Sequence, residues 1–204
     1  MAKYIFKRIL ALIPVMLVVA TVVFILMRLL PGNPAALMLG PEATADDIAR
    51  LAAEMGLDKP IPIQMVDWFG SIFKGDLGSS IFLRMPVTNA IIKHMEATLL
   101  LTFLALAMSV VVGIAAGVIS ASRHNGIVDQ VIMFFSSLGV AVPNFWLALL
   151  LVLYVALNSS FFPVAYYEPI AKAGLFNSIR FLLLPAFALG AGQAAIIARM
   201  TRAN

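Results

Sequence analysis

The hydrophobic pattern divides the chain into four long apolar segments separated by polar connections. Residues 9–30 are apolar apart from Thr21 and Arg28, and further apolar runs cover residues 97–121, 131–157 and 179–198. A helix needs about 20 apolar residues to cross the ~30 Å hydrocarbon core of a bilayer. The pattern therefore predicts an all-α integral membrane protein with about four transmembrane helices.

The third apolar segment, residues 131–157, is too long for one straight crossing. It would extend for about 40 Å as a continuous helix, at 1.5 Å per residue. It also contains Pro143, which removes a backbone donor and clashes with the preceding helical turn. We predict a short helix up to Val142, followed by the crossing itself.

The polar connection after the first segment, residues 31–96, predicts an external region of loops and short helices. It starts with a PGNP turn, and Thr44 is placed as the N-cap of a helix over residues 44–54, with Asp47 three positions later. The predicted organisation is therefore a cytoplasmic amino terminus and first transmembrane helix (1–30), an external, periplasmic region (31–96) and a membrane core with three further segments (97–204).

The positive charges agree with this topology. Basic residues flank the ends of the segments that four crossings place in the cytoplasm: Lys3, Lys7, Arg8, Arg123, Arg199 and Arg202. Cytoplasmic loops carry an excess of Lys and Arg, so both termini are predicted to be cytoplasmic. A cleaved signal peptide is the rival interpretation of the first segment, but its apolar region normally has 7 to 15 residues.

Composition excludes several classes of function. The chain is 62% hydrophobic and only 12% charged, far from the mix of a soluble domain. Its net charge of +4 comes without a run of Lys or Arg, so no nucleic-acid partner is expected. With no Cys and two His, no catalytic, metal or cofactor site is expected. The chain also has no glycine-rich phosphate-binding motif, so it is not expected to hydrolyse nucleotide itself.

Small residues recur every four positions in the second and fourth segments. Gly113 and Gly117 belong to the first series and Gly190 to the second, which predicts faces where helices approach closely. Lining of a translocation path is the alternative for both faces. Gln193 is the strongly polar side chain deep in the fourth segment, and it is predicted either to bond another helix or to line a pathway.

Ser136 and Ser137 precede the predicted break at Pro143. Backbone groups freed near a proline need water or local partners, so the two serines are candidates for lining a cavity. Back-bonding of each serine to its own helix is the alternative.

Several stretches, taken in order, resemble the permease subunits of ABC importers for dipeptides, oligopeptides, glutathione and nickel, in the branch of the B-type subunit. The resemblance covers the whole chain. It rests on IFKRILALIPVMLVV (5–19), RLLPGNPA (28–35), GLDKP (56–60), GDLGSS (75–80), ATLLLTFLALAMSVVVGIAAGVISA (97–121), SSLGVAVPNFWLALLL (136–151), FFPV (161–164) and LLLPAFALGAGQAAIIARMTR (182–202).

The resemblance implies a type I ABC importer permease fold in a bacterial inner membrane. It implies a second permease subunit, two cytoplasmic ATPase subunits and an external solute-binding protein as partners, with the lipid bilayer around them. By the same resemblance Pro143 and Phe145 belong to a core helix beside the pathway, and the external region includes the turns at residues 31–34 and 75–80.

Members of this family continue into a cytoplasmic EAA loop and two more helices, so the chain is expected to be truncated before that loop, with residues 97–204 forming a partial permease core. The leading hypothesis is a subunit of a peptide importer that forms part of the translocation pathway. The alternatives are a nickel importer permease, a non-transporting remnant or regulatory partner of a full-length permease, and a stand-alone channel or carrier.

Overall fold

The computed structural model describes residues 1–29, 31–80, 82–164 and 166–203, without the side chain of Ala2. Leu30, the predicted end of the first span, and Asn204 lie outside this description. The chain forms two compact units, Met1–Ile91 and Ile92–Asn204. The predicted all-α class is confirmed, because helices dominate both units.

Among its described residues, the first unit contains four helices and a short hairpin. Its elements are α1 (Ala2–Leu29), α2 (Pro34–Leu39), α3 (Ala45–Glu54), α4 (Ile61–Phe73), β1 (Ser79–Ser80) and β2 (Met85–Pro86). The two strands are antiparallel, with Ser79 opposite Pro86. The helix α1 is long and apolar enough to span a membrane.

The remaining helices lie mainly in the second unit. They are α5 (Val87–Ser122), α6 (Ile127–Ala141), α7 (Asn144–Leu151) with a π-helical turn (Val152–Ala156), α8 (Ile170–Ala173) and α9 (Leu175–Ala203). Both α5 and α9 have the length and apolarity of spans, whereas α6 and the α7 segment form a pair bent by 102°. The described residues thus contain three candidate spans, or four if the bent pair is one span.

The end of α1 packs against α4 in the first unit. Phe24 is buried, with its ring 5.4 Å from that of Trp68, and the guanidinium of Arg28 lies 5.2 Å from the centre of the Phe24 ring. An amphipathic aromatic such as Trp is typical of the membrane–water interface. This contact attaches the short helices of the first unit to the end of its span.

The predicted helix after Thr44 is confirmed. The Thr44 hydroxyl accepts the amide of Asp47 at 3.2 Å and donates to its carboxylate at 2.6 Å. At the other end Gly56 has a φ of +66°, and Leu57 N donates to the Ala52 carbonyl at 2.9 Å. That pattern ends a helix with a residue in the left-handed region, where glycine carries no steric penalty.

The helix that contains the predicted second span begins before residue 97, because α5 starts at Val87. After Pro86 no proline or glycine interrupts the chain until Gly113, so nothing stops the helix from continuing through the polar residues before the apolar run. Hydropathy located the apolar part of the helix, and the backbone extends beyond it.

The second unit has small side chains inside and large ones outside. Ala186, Ala194 and Ala198 on α9 are each at most 8% exposed, whereas Val111 on α5 and Phe135 on α6 are 67% and 64% exposed. Lipid is as apolar as a leucine side chain, so helices in a membrane gain by close backbone approach more than by burying large apolar groups. This arrangement is the one expected for a bundle surrounded by lipid.

Candidate functional site

The helical backbone of the second unit is broken between α6 and α7. Val142 has an extended backbone, with ψ at 123°, and Pro143 follows with φ at −62° and ψ at 133°. Proline cannot donate to a helical carbonyl and disfavours the helical region for the residue before it. The predicted break at Pro143 is therefore present, but α6 has 15 residues and α7 with its π turn 13, so neither part alone spans the ~30 Å core. The expected single crossing after Val142 is not found as a straight helix.

Contacts along α9 nevertheless show that the bent pair carries the chain back from the end of α5 to the start of α9. Gly190 approaches Ala105, Gly113 approaches Ala194, and Gly117 approaches Ala198. The residue numbers rise together in both helices, so α5 and α9 are parallel. Between the end of α5 and the start of α9 the chain must therefore run back along both helices. This returning segment contains α6 and α7.

The course of the returning segment can be followed against α9. Asp129 of α6 contacts Arg202, Gly139 contacts Ala195, and the Phe161 carbonyl accepts from Arg180. Residue numbers along α9 fall as residue numbers along the returning segment rise, so the two run in opposite directions. The bent pair is therefore an antiparallel crossing with a sideways turn at its middle.

The break lies near the middle of this crossing. The Gly139 carbonyl oxygen is 3.3 Å from the position of a Cβ on Gly192, and the Asn144 Oδ1 is 3.6 Å from it. Gly192 is about 15 Å along α9 from Arg202 and about 21 Å from Ser178, at 1.5 Å per residue. The irregular backbone thus lies beside the middle part of α9, well away from both ends of that helix.

Glycines make the contact between α5 and α9 possible. A Cβ added to Gly113 would lie 2.8 Å from the Ala194 carbonyl oxygen, and one added to Gly190 would lie 2.9 Å from that of Ala105. Real Cβ atoms do not approach so closely, so both positions require glycine at the present helix separation. The structure brings together Gly113, Gly117 and Gly190 of the predicted set in one interface.

The other predicted residues lie elsewhere. Ser137 is exposed and donates to the Met133 carbonyl at 2.9 Å, which matches the back-bonding alternative, while Ser136 is 6% exposed. Phe145 is 71% exposed at the start of α7. Gln193 is also exposed on α9 and does not join the glycine contact with α5.

A polar cluster closes the end of α5, α6 and α9 at which α9 finishes, which we call the inner end. Asp129 is 1% exposed, and Arg202 donates to it twice, Nε to Oδ1 and Nη2 to Oδ2, each at 2.6 Å. The Ser120 hydroxyl donates to Oδ1, and the backbone amide of Asn125 donates to Oδ2 at 2.8 Å. We call these four residues the inner clamp. It joins α5, the following turn, α6 and α9.

A second polar cluster lies at the opposite end, where α9 begins, which we call the outer end. Glu96 Oε1 of α5 accepts from the Tyr167 hydroxyl at 2.6 Å and from the Ile170 amide at 2.7 Å. Burial and this hydrogen bond raise the pKa of Tyr167 above its ordinary value. Arg180 of α9 donates to the Phe161 carbonyl at 2.6 Å and lies 4.7 Å from the centre of its ring. The connection between the π turn and α9 is therefore held to both helices.

The pairing of Asp129 with Arg202 was not predicted from the sequence. The charge pattern gives Arg202 a role only as a topology signal and gives Asp129 none. One signal was available: Asp129 is an acid at the edge of an apolar segment, and a buried acid requires a cation. The sequence offered no means of choosing Arg202 among the basic residues on the same side.

Family comparisons cover both parts of the chain. Residues 1–102 match the N-terminal region of binding-protein-dependent transport system membrane components. Residues 113–204 match the binding-protein-dependent transport system inner membrane component. Together the matches confirm the resemblance found in the sequence.

Individual relatives align over the whole chain. A putative peptide transport system permease protein of Brucella suis biovar 1 (strain 1330) is 41% identical over 204 residues, which are 100% of this chain and 65% of the relative. The oligopeptide transport system permease protein AppB of Bacillus subtilis (strain 168) is 34% identical over 206 residues, with the same shares of 100% and 65%. The glutathione transport system permease protein GsiC of Pectobacterium atrosepticum is 37% identical, with shares of 100% and 64%. The chain thus spans slightly less than two thirds of the length of these relatives.

Proposed function

The chain belongs to the family of inner membrane components of binding-protein-dependent transport systems, and on this basis we propose that it is a permease subunit of an ATP-driven peptide importer. In this proposal it forms part of the translocation pathway. The observation that carries the proposal is the exposed helix break between α6 and α7, beside the middle part of α9.

The break requires an environment other than lipid. Non-helical backbone at membrane depth is tolerated only where it is buried in protein or lines a water-filled cavity. Pro143, Asn144 and Phe145 are all exposed on the surface of the chain. We infer that a solute pathway, shared with a second permease subunit, passes this surface, so Pro143, Phe145 and the neighbouring Ser137 are our candidates for contact with solute.

Gln193 is a further candidate for the pathway. Its side chain is exposed on α9, so the chain itself does not shield its amide from the surroundings. A polar amide facing hydrocarbon is costly, and such residues face a bundle interior or a watery path. The exposed position therefore favours a watery path or a partner helix for Gln193. Gly113, Gly117 and Gly190 are assigned to helix packing.

We propose a peptide as the solute, because the relatives bear the names of peptide, oligopeptide and glutathione transport systems. In the proposed assembly a solute-binding protein delivers the peptide to the external region, residues 31–96. Two cytoplasmic ATPase subunits supply the energy, and this chain catalyses no reaction itself. Both termini are proposed to be cytoplasmic, with residues 97–204 forming the core.

Uptake by intact cells tests the proposed transport. The gene is deleted and restored, and uptake of labelled oligopeptide, glutathione and Ni²⁺ is measured in each strain. We expect deletion to abolish uptake of a peptide and restoration to recover it. Loss of Ni²⁺ uptake alone would assign a metal solute instead. Unchanged uptake of all three would contradict the transport function and favour a regulatory membrane partner.

Thiol labelling tests the proposed pathway, because the chain contains no native cysteine. Single cysteines are placed at Phe145 and Ser137 and, as controls, at Val111 and Val118, which are exposed on α5 two turns apart. We expect a membrane-impermeant, water-soluble thiol reagent to label the first pair, and solute to slow the labelling. Equal labelling of both pairs would contradict the assignment of the pathway to the break.

A further inference from the structure

The inner clamp has a feature that simple charge pairing does not require. Each group that donates to the Asp129 carboxylate comes from a different element: Ser120 from the end of α5, Asn125 from the turn and Arg202 from the end of α9. Asp129 itself lies in the first turn of α6. A single carboxylate therefore holds the inner ends of three helices.

The geometry of the pair also restricts orientation. Two parallel contacts between guanidinium and carboxylate, both at 2.6 Å, fix the relative orientation of two planar groups as well as their separation. A lysine provides a point charge and no such fork. The end of α9 is thereby held in both position and rotation against α6.

Burial makes the arrangement hard to open. Asp129 is 1% exposed, so withdrawal of Arg202 would leave a buried carboxylate without a cation, which is strongly unfavourable. The imidazole Nδ1 of His124, 3.9 Å from Oδ2, is the other basic group that faces Asp129 among the described residues, and its side chain is 59% exposed. His124 contacts one oxygen from the rim and cannot replace the fork.

Arg199 provides a comparison within the same helix. It lies three residues before Arg202 and is exposed to the surroundings. Both arginines are basic residues near the end of α9, yet of these two only Arg202 donates to Asp129. The positive-inside rule explains the presence of Arg199 in full and leaves the paired geometry of Arg202 unexplained.

We propose that Arg202 is a positioning residue that fixes the inner ends of α5, α6 and α9 relative to one another, so that movements during transport carry these three helices together. The proposal rests on the proposed function for its link to transport. Its structural part, the fixed separation of the inner ends, stands without that function.

Distances between spin labels test the structural part. Labels are attached to cysteines at Arg123 and Ala203 in the full-length gene product, assembled with its partner subunits in lipid nanodiscs. We expect a narrow distance distribution in the native sequence, with and without nucleotide. Arg202→Gln should broaden it, whereas the matched change Arg199→Gln should leave it unchanged. Arg202→Lys, which keeps the charge, should give a distance distribution of intermediate width. It takes the place of Arg202→Gln if the glutamine variant does not assemble.

The coupling of ATP hydrolysis to solute transport tests the link between Arg202 and transport. The ratio of solute transported to ATP hydrolysed is measured for the same assemblies in proteoliposomes. We expect Arg202→Gln to lower this ratio on the order of tenfold, within the range of typical coupling between sites, while ATP hydrolysis and the amount of assembled complex stay close to native. A role in folding alone would lower the yield without changing the ratio per assembled complex.

The outcomes separate the two proposals. An unchanged distance distribution in Arg202→Gln overturns the positioning role. A broadened distribution with an unchanged coupling ratio supports the structural part and overturns its link to transport. If the native assembly transports none of the tested solutes, the proposed function fails, and the distance measurement alone then decides whether Arg202 fixes the helix ends.

Discussion

Gly117 on α5 faces Thr201 on α9 so closely that a Cβ at position 117 would lie 2.5 Å from the Thr201 Cβ. The Ala198 carbonyl oxygen would be 2.8 Å from the same atom. Rotation of the threonine side chain does not move its Cβ, and a helical carbonyl is fixed in the backbone, so neither contact can be relieved without shifting α9. The separation of the two helices is thus limited by the absence of a side chain at this position.

We therefore expect Gly117→Ala to destabilise the bundle. Alanine favours a helix over glycine by about 1 kcal/mol, but overpacking a close contact typically costs about 1–3 kcal/mol, and here backbone must move. Unfolding by sodium dodecyl sulfate in mixed micelles measures the difference. The control is Gly70→Ala in α4, where a Cβ meets nothing within 4 Å, so only the higher helix propensity of alanine affects stability. A Gly117→Ala variant as stable as the control would contradict the contact.

A second prediction concerns the packing of α6 on α9. A Cβ on Gly139 would lie 3.2 Å from that of Ala195, slightly closer than the ~3.8 Å between the Cβ atoms of a disulfide. We expect the pair Gly139→Cys and Ala195→Cys to form a disulfide under mild oxidation, since a shift of a few tenths of an ångström suffices. The chain has no other cysteine, so a cross-link can be assigned without ambiguity.

The matched control pairs Gly139→Cys with Ile196→Cys. Ile196 is adjacent to Ala195 but is 38% exposed, about 100° around the helix. Protease cleavage between the two positions, followed by electrophoresis with and without reductant, distinguishes linked from unlinked chains. Equal cross-linking of both pairs would show that α6 does not hold the present register on α9.

The sequence predicted those features whose causes are local. The cap of α3 at Thr44 depends on residues three positions apart, and the break at Pro143 follows from a missing donor and a steric clash. The contacts of Asp129 with Arg202 and of Glu96 with Tyr167 join residues more than 70 positions apart. No periodicity or motif relates such positions, so the polar clusters at both ends became visible only in the fold.

The Tyr167 hydroxyl provides a third prediction, which depends on pH. Burial and the bond to Glu96 raise the pKa of Tyr167 above the ordinary tyrosine value near 10. Stability from a group with a raised pKa is complete below the ordinary value and is lost as the pH rises through the raised one. We expect the outer cluster to persist at neutral pH and to open only in strongly alkaline solution.

Ultraviolet absorbance of tyrosinate measures this titration. The difference between the native chain and Tyr167→Phe isolates the ionisation of Tyr167, and Tyr166→Phe, at a side chain that is 96% exposed, serves as the neighbouring control. Protection of the Ile170 amide, which donates to Glu96, should fall over the same pH range when its exchange rate is compared with that of an unprotected amide at each pH. Ionisation of Tyr167 below pH 10 would contradict the hydrogen bond to Glu96.

The last prediction concerns the two prolines that lie within the predicted third and fourth spans. Pro185 lies inside α9, which continues through it, whereas Pro143 ends the regular backbone between α6 and α7. At Pro143 the preceding residue is extended, so the break needs both the missing donor and the conformation of Val142. We expect Pro143→Ala to reduce the bend, because residue 143 regains an amide that can donate to the Gly139 carbonyl and Val142 regains access to the helical region.

Spin labels at Val131 and Leu153, on either side of the break, measure the effect. A straight helix would separate these positions by about 33 Å, at 1.5 Å per residue, and the 102° bend must bring them closer. Pro143→Ala should lengthen the distance, and Pro185→Ala should not change it. If the helix straightens, the exposed non-helical backbone at the break is lost. Labelling of a cysteine at Phe145 by a water-soluble reagent should then decrease. A lengthened distance with undiminished labelling would show that water reaches this surface for a reason other than the broken backbone.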